Sequence, residues 1–171
     1  MPFELHPEIP PDGRPRDEVL PPAYRARAEE GVNRLATQVG LQLRLHDRLI
    51  NSRPALQAAE FAREQDRFEP MHRELFRAYW DEGQNVSDIA VLRDVALRAR
   101  VDAAGMEAAL VANRFGDYLD TRRAEAEELM INGIPAHVIA DRYLVMGAQP
   151  YALFEQVMVK VGVPKRESHP A

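Results

Sequence analysis

The stretch from Gly133 to Pro150, GIPAHVIADRYLVMGAQP, carries the strongest fold signal in the chain. It contains two apolar runs, Ala136–Ala140 and Tyr143–Gly147, separated by two polar residues. Runs of this length with β-branched and aromatic residues, joined so closely, predict an antiparallel hairpin. Ile134-Pro135 stands at its entrance, where a proline cannot donate a ladder hydrogen bond and must serve the geometry of the chain.

Outward from the hairpin, most of the sequence has helical periodicity, with apolar residues three and four positions apart. Residues 52–130 read as a nearly continuous helical block whose last helix runs from about Asp120 to Met130. Two further helices are predicted, from about Ala23 to Val39 and from Pro150 to Val161. Three side chains with helix-capping chemistry precede helices of the block, namely Ser52, Ser87 and Asp102.

The N-terminal region is rich in proline, because seven of the 13 prolines lie within residues 1–22. This composition predicts a turn-rich loop from Pro7 to Pro22 that contains no element, preceded by a short strand at Pro2–His6. Further on, Leu41, Leu43 and Leu45 alternate with polar residues and indicate a short extended segment. The expected order is therefore strand, helix, helical block, hairpin and helix, with a small sheet beside the block.

Composition excludes several classes of function. The net charge is −5 and basic residues are interspersed with acidic ones, so a nucleic-acid groove is not expected. No run approaches a membrane span and the first residues lack the features of a signal peptide, so we expect a cytoplasmic protein with no membrane partner. The chain has no cysteine, which excludes disulfides, thiolate catalysis and cysteine-bound zinc within these 171 residues.

No catalytic, metal or cofactor site is predicted from the residues alone. Glu69 and His72 have the spacing of carboxylate-bridged metal sites in helical bundles, but those sites need the motif twice, and a solvated pair is the preferred interpretation. The five histidines are scattered and include none of the short metal-binding spacings. His137 is the histidine of most interest, because it lies two residues after Pro135.

The hairpin with its flanks resembles the DsbA-like thioredoxin-fold family, specifically its FrnE-like branch. In that branch a Gly-Val/Ile-Pro step enters the hairpin and Gly-Ala-Gln leads into the last helix. PFELHPEIPPDG, LRLHDRLINSRPALQAAEFAREQ and FRAYWDEGQNVSDIAVLRDVA are also similar to segments of the branch. The resemblance covers residues 2–162 and implies an α/β fold in which a small mixed thioredoxin-like sheet carries a large helical insertion.

The resemblance also implies a domain division and a site. Residues 1–51 and 131–162 would form an incomplete thioredoxin-like domain, 52–130 the insertion and 163–171 a disordered tail. Pro135 matches the family's cis-proline, and Gly133, Ile134, Pro135 and Ala136 match the loop that presents backbone groups to an extended peptide or protein thiol substrate. His137 and Gln149 are further candidates for this site.

Departures from the family affect the expected activity. Met130, Ala136 and His137 differ from the residues usual at their positions. The family's first strand, its Cys-Pro-x-Cys turn and the following helix have no counterpart in this sequence. We therefore expect Pro2–His6 and the inner edge of the hairpin to lack their common neighbour, and the chain to be inactive in thiol–disulfide oxidoreduction.

Three interpretations of that difference remain open at this point. A strand–helix unit with the cysteines lies upstream of Met1, or the chain is a non-catalytic module for peptide binding that borrows a strand, for example as a homodimer through the open sheet edge. In the third, it is a relative of the glutathione-dependent 2-hydroxychromene-2-carboxylate isomerases, which share this scaffold and use a serine.

Overall fold

The computed structural model describes residues 1–43 and 46–164, and its elements are mainly helices. The helices are α1 (Arg16–Val19), α2 (Pro22–Gln38), α3 (Arg53–Glu64), α4 (Phe68–Phe76), α5 (Ile89–Ala99), α6 (Ala103–Val111), α7 (Gly116–Glu128) and α8 (Tyr151–Lys160), with a π-helical turn at Arg77–Asp81. The strands are β1 (Arg14–Pro15), β2 (Arg48–Leu49), β3 (Ala136–Ile139) and β4 (Tyr143–Met146).

Contacts divide the chain into two compact units, Met1–Arg123 and Ala124–Ala171. The strands of the described residues form two separate antiparallel sheets of two strands each, β1–β2 and β3–β4, so the single mixed sheet expected from the resemblance is not formed there. The domain division predicted above stays a prediction, and its tail lies outside the described residues beyond Pro164. No helix in the described part of the chain is long and apolar enough to cross a membrane.

The core of the first unit lies among α3, α4, α5 and α6, which pack against one another. Small residues allow the helices to approach closely, and larger side chains fill the space between them. Within this unit, the side chains with no exposed surface are Ala58, Ala62, Met71, Ala78, Leu92, Val95, Ala96 and Met106. The predicted helices between residues 52 and 111 are therefore present, and α3–α6 pack on one another.

The caps of these helices agree only partly with the predictions. Asp102 accepts a hydrogen bond from the Gly105 N–H, as predicted for α6. Ser87 does not cap α5; the carboxylate of Asp88 accepts from Ala90 N–H instead. Ser52 occupies the position before α3, but its side chain makes no cap bond, and Asn51 Oδ1 accepts from the Arg53 N–H at 2.8 Å. In both corrected cases the neighbouring Asp or Asn is the acceptor in place of the serine.

The N-terminal region differs from its prediction in two ways. Pro2–His6 is not a strand, because no other described strand pairs with it. The predicted featureless loop contains β1 and α1, since β1 finds a partner in β2. Gly13 permits this approach: its φ is +73°, and a Cβ there would lie 2.6 Å from the Leu49 carbonyl oxygen.

The helix α2 forms where predicted and ends before Gly40, whose φ is +72°. Its apolar stripe is largely exposed: among residues 22–38, all of which the structure describes, Ala36 alone is buried. Leu41 and Leu43 are not in a strand, and Leu45 lies outside the described residues. The extended segment expected at these leucines therefore pairs with no strand among the described residues.

The second unit contains the hairpin β3–β4 and the helix α8. The predicted hairpin is confirmed: Ala136 pairs with Met146 and Ile139 with Tyr143. Its turn has φ of +52° at both Ala140 and Asp141, which is the signature of a type I′ turn. The last helix starts directly after Pro150, as predicted, and ends before Gly162.

The helix α7 runs from Gly116 to Glu128, starting four residues before its predicted start at Asp120.

Candidate functional site

The loop that enters β3 is the candidate site predicted from the sequence, and it lies in the second unit. The Ile134–Pro135 peptide bond is cis, the isomer that the resemblance implies. Ile134 has 58% of its surface exposed, and Pro135 is also exposed. A Cβ added at Gly133 would make only an ordinary contact, 3.7 Å from Met146 Cε. The loop therefore presents an exposed apolar side chain and an accessible backbone.

Hydrogen bonds between the strands establish which backbone groups of β3 face β4. The Gly147 N–H donates to the Pro135 carbonyl at 2.8 Å, and the Arg142 N–H donates to the Ile139 carbonyl at 3.2 Å. In an antiparallel pair such bonded positions alternate with positions whose groups point away. Ala136 and Val138 therefore direct their N–H and carbonyl groups away from β4. We call this side of β3, formed by Ala136 and Val138, the open edge.

The open edge has no partner strand among the described residues, since β3 pairs there with β4 alone. Val138 has 41% of its surface exposed, so the edge is accessible to another chain. Unpaired strand edges are templates for pairing with an extended segment. The loop and the open edge are continuous in the chain. The Pro135 carbonyl between them is bonded to the Gly147 N–H, so the backbone groups offered by the open edge are those of Ala136 and Val138.

His137 is exposed and lies on the opposite face of the hairpin from Val138, because side chains alternate along a strand. Its ring stands edge-on to Phe154 of α8, with ring centres 5.0 Å apart and planes at 80°. This contact positions the imidazole on the α8 side of the hairpin. His137 therefore lies in β3, two residues after Pro135, and its part in the site stays a prediction.

Gln149, the second additional candidate, makes a hydrogen bond to the backbone of the hairpin. Its side-chain Nε2 donates to the Met146 carbonyl at 2.8 Å. Met146 pairs with Ala136, so its carbonyl points away from β3, toward the outer edge of β4. Gln149 therefore satisfies one backbone acceptor of that outer edge. Sequence reasoning missed this role because it depends on the alternation of the ladder.

Glu69 and His72 do not belong to any cluster of three metal-ligating side chains within the described residues. His72 packs between Phe68 and Phe76, with ring centres 5.4 and 4.5 Å away. Glu69 and His72 are both exposed, as expected for a solvated pair, and the His72 ring also contacts the two phenylalanine rings.

Another polar region was not foreseen from the sequence. A cavity of about 400 Å³ in the first unit is lined by Arg16, Asp17, Arg25, Glu29, His46 and Asp47. His46 Nε2 lies 2.8 Å from the Tyr79 carbonyl, and its ring stacks on the Tyr79 ring. Burial raises the pKa of the Tyr79 phenol. The cavity lining carries both signs of charge, so it favours neither an anion nor a cation.

Comparisons with known proteins found a family model, a similar protein and a similar solved structure. The model of the DSBA-like thioredoxin domain matches residues 1–159. The uncharacterized protein YwbO of Bacillus subtilis (strain 168) is 26% identical over 163 residues, which cover 92% of this chain and 78% of that protein. The crystal structure of a probable DsbA oxidoreductase from Streptomyces coelicolor aligns with a TM-score of 0.79 and 25% identity, covering 99% of this chain and 76% of that chain.

Proposed function

This chain belongs to the DSBA-like thioredoxin domain family, and on that basis we propose that it binds an extended segment of a protein substrate along Gly133–Ala136 and β3. The predicted α/β fold of the DsbA-like thioredoxin type is confirmed by the family match and by the similar solved structure. The observation that carries the proposal is the open edge, which continues the loop. A cytoplasmic location stays a prediction.

The binding mode is addition of a strand. A substrate segment that lies beside β3 would exchange main-chain hydrogen bonds with the N–H and carbonyl groups of Ala136 and Val138. Main-chain bonds of this kind are independent of substrate sequence, and the exposed Ile134 side chain adds an apolar contact. Substrates are therefore expected to be unfolded or extended segments, the form in which protein thiols are accessible.

Thiol–disulfide exchange requires a thiolate, and these 171 residues contain none. The chain on its own is therefore proposed to bind substrate without oxidising or reducing it. Reduction of insulin by the purified chain serves as the check, and turnover above background would contradict this part of the proposal.

A proline in the open edge tests the binding mode. Val138→Pro removes an N–H that points away from β4, so the hairpin ladder keeps its bonds. We expect the dissociation constant for a fluorescent unstructured peptide, measured by anisotropy, to rise about tenfold. The variant loses one main-chain hydrogen bond and leaves the peptide carbonyl unsatisfied, which weakens binding by about 1.4 kcal/mol.

Leu144→Pro is the matched control, because Leu144 lies directly opposite Val138 and its N–H points to the outer edge of β4. It carries the same backbone change and should leave peptide affinity unchanged. Equal affinities for all three proteins, or no binding by the native chain, would refute strand addition at β3. Circular dichroism establishes that both variants fold.

A further inference from the structure

Asn132 and Gly133 form the only Asn-Gly pair in the chain, and they stand directly before Ile134 in the loop that enters β3. The backbone nitrogen that follows an asparagine can attack the side-chain amide of that asparagine. Glycine allows this attack most readily, because it has no Cβ to crowd the approach and its backbone rotates freely. The pair therefore has the residue types that this intramolecular reaction requires.

Two fixed points enclose the short segment that contains this pair. On the N-terminal side, the Ile131 N–H donates to the Ala126 carbonyl at 2.8 Å in the motif that ends α7, and the Ile131 side chain is buried. On the C-terminal side, the Pro135 carbonyl accepts from the Gly147 N–H at 2.8 Å. Among the described residues, no hydrogen bond involves the backbone of residues 132–134. This backbone can therefore rotate while both of its ends stay in place.

The reacting groups of the pair are not held by other contacts. A Cβ at Gly133 would meet only Met146 Cε, at the ordinary distance of 3.7 Å, and the φ of Gly133 lies outside the left-handed region. Asn132 is exposed, and its side-chain amide has no hydrogen bond in the part of the chain that the structure describes. The Asn132 amide carbon is therefore free to approach the Gly133 nitrogen, in a place that water reaches.

We propose that Asn132 is a site of spontaneous deamidation, in which the Gly133 nitrogen attacks Cγ of Asn132. The Gly133 N–H gives its proton to a base in the solvent, and a bond forms between this nitrogen and Cγ. The bond from Cγ to Nδ2 breaks, and ammonia leaves with a proton from the solvent. Water then opens the cyclic imide at either carbonyl carbon and leaves aspartate or isoaspartate at position 132. Water is the only co-reactant, and nothing is oxidised or reduced.

The other four asparagines lack this combination of features and serve as internal controls. Each is followed by a residue with a side chain, in the pairs Asn33-Arg34, Asn51-Ser52, Asn85-Val86 and Asn113-Arg114. The side-chain amides of Asn51, Asn85 and Asn113 are already hydrogen-bonded, and Asn33 lies within the helix α2. Their side chains are therefore held away from the attack, and the residue after each one crowds it.

Asp12 and Gly13 provide a second comparison, because an aspartate before glycine can form the same imide with loss of water. The Gly13 N–H donates to the Pro10 carbonyl at 2.8 Å, and a Cβ at Gly13 would lie 2.6 Å from the Leu49 carbonyl oxygen. The backbone there is fixed on both sides, whereas that of Gly133 is free. Imide formation is therefore expected at Asn132 and not at Asp12.

Deamidation changes the loop that the proposed function uses. Either product places a negative charge directly before residues 133–136, and isoaspartate also adds one carbon to the main chain between Ile131 and Pro135. Peptide binding along the loop should therefore weaken as the reaction proceeds. This consequence rests on the proposed function, whereas the deamidation itself does not.

The test follows the native chain during incubation at mildly alkaline pH and physiological temperature. Samples taken over time are digested and analysed by mass spectrometry, in which deamidation adds about 1 Da to a peptide. We expect the peptide with Asn132 to gain this mass at least about tenfold faster than the peptides with the other four asparagines. Equal rates at all five asparagines, or no gain at Asn132, would overturn the proposal.

Gly133→Ala is the matched variant, because the added Cβ makes only an ordinary contact and the backbone conformation suits any residue. It keeps Asn132 and should deamidate there at least about tenfold more slowly than the native chain. Circular dichroism establishes that the variant folds. An unchanged rate in Gly133→Ala would refute the assignment of the Gly133 nitrogen as the attacking group.

Peptide affinity, measured by anisotropy on the same samples, tests the consequence separately. The native chain should lose affinity relative to its own fresh sample as Asn132 deamidates, and Gly133→Ala should change little over the same time. Deamidation with no loss of affinity would contradict the effect on the loop. If the fresh native chain binds no peptide, the proposed function fails, and the mass measurement still decides whether Asn132 deamidates.

Discussion

Arg53 links the N-terminal segment of the chain to α3 and α7, and its removal should destabilise the first unit. Its guanidinium contacts Glu4 at 2.9 Å and Asp120 at 2.8 Å, and it also donates to the Gly116 carbonyl at 3.2 Å. The two carboxylates differ in environment: the Glu4 side chain is 4% exposed, whereas that of Asp120 is 62% exposed. The consequence of losing Arg53 therefore depends mainly on Glu4.

Arg53→Met keeps most of the aliphatic stem and removes the charge. A buried carboxylate without its partner costs about 3–5 kcal/mol, whereas an exposed pair contributes about 0–1 kcal/mol. We expect the free energy of unfolding to fall by about 3 kcal/mol. With a urea slope of about 2 kcal/mol per molar, the midpoint shifts by about 1.5 M.

Trp80, the single tryptophan of the chain, lies in the first unit and reports its unfolding by fluorescence. A double-mutant cycle separates the two pairs. Coupling of Arg53→Met with Glu4→Gln should be about 2 kcal/mol or more, and coupling with Asp120→Asn less than about 1 kcal/mol. Equal couplings, or a loss below about 1 kcal/mol for Arg53→Met, would refute the assignment of Glu4 as the dependent partner.

Two further predictions concern the first unit. Asp88→Ala should lower the free energy of unfolding by about 1 kcal/mol through loss of the α5 cap, while Asp88→Asn keeps an acceptor and most of the stability; urea titration distinguishes them. Burial raises the pKa of Tyr79 in the folded state, so above pH 10 the phenol ionises more readily in the unfolded chain. Its contribution to the free energy of unfolding is therefore present at neutral pH and is lost as the pH rises above about 10. The stability difference between the native chain and Tyr79→Phe should therefore fall between pH 7 and pH 11, and an unchanged difference would contradict the burial argument.

The parts of the fold that local sequence determines were predictable. The hairpin follows from two alternating apolar runs and a short turn, and α8 follows from Pro150 and a helical stripe. The cap at Asp102 depends on residues three apart. Each of these signals lies in residues that are close together in the sequence, so it does not depend on distant parts of the chain.

The parts that depend on distant residues were not predictable. β1 exists because β2 lies beside it, and the two are separated by more than 30 residues. Arg53 contacts Glu4, which is 49 positions away in the sequence, and Asp120, which is 67 positions away. At the candidate site, the sequence indicated the loop and His137, but the open edge and the role of Gln149 follow from the ladder register, which no local pattern specifies.

The exposed stripe of α2 has a consequence for how the molecule opens. Only a small apolar area, centred on Ala36, is removed from water when this helix docks, so undocking exposes little of the core among α3–α6. A helix of 17 residues is marginal in water without tertiary packing. Local unfolding of α2 is therefore decoupled from global unfolding, and hydrogen exchange in this helix reports its own equilibrium.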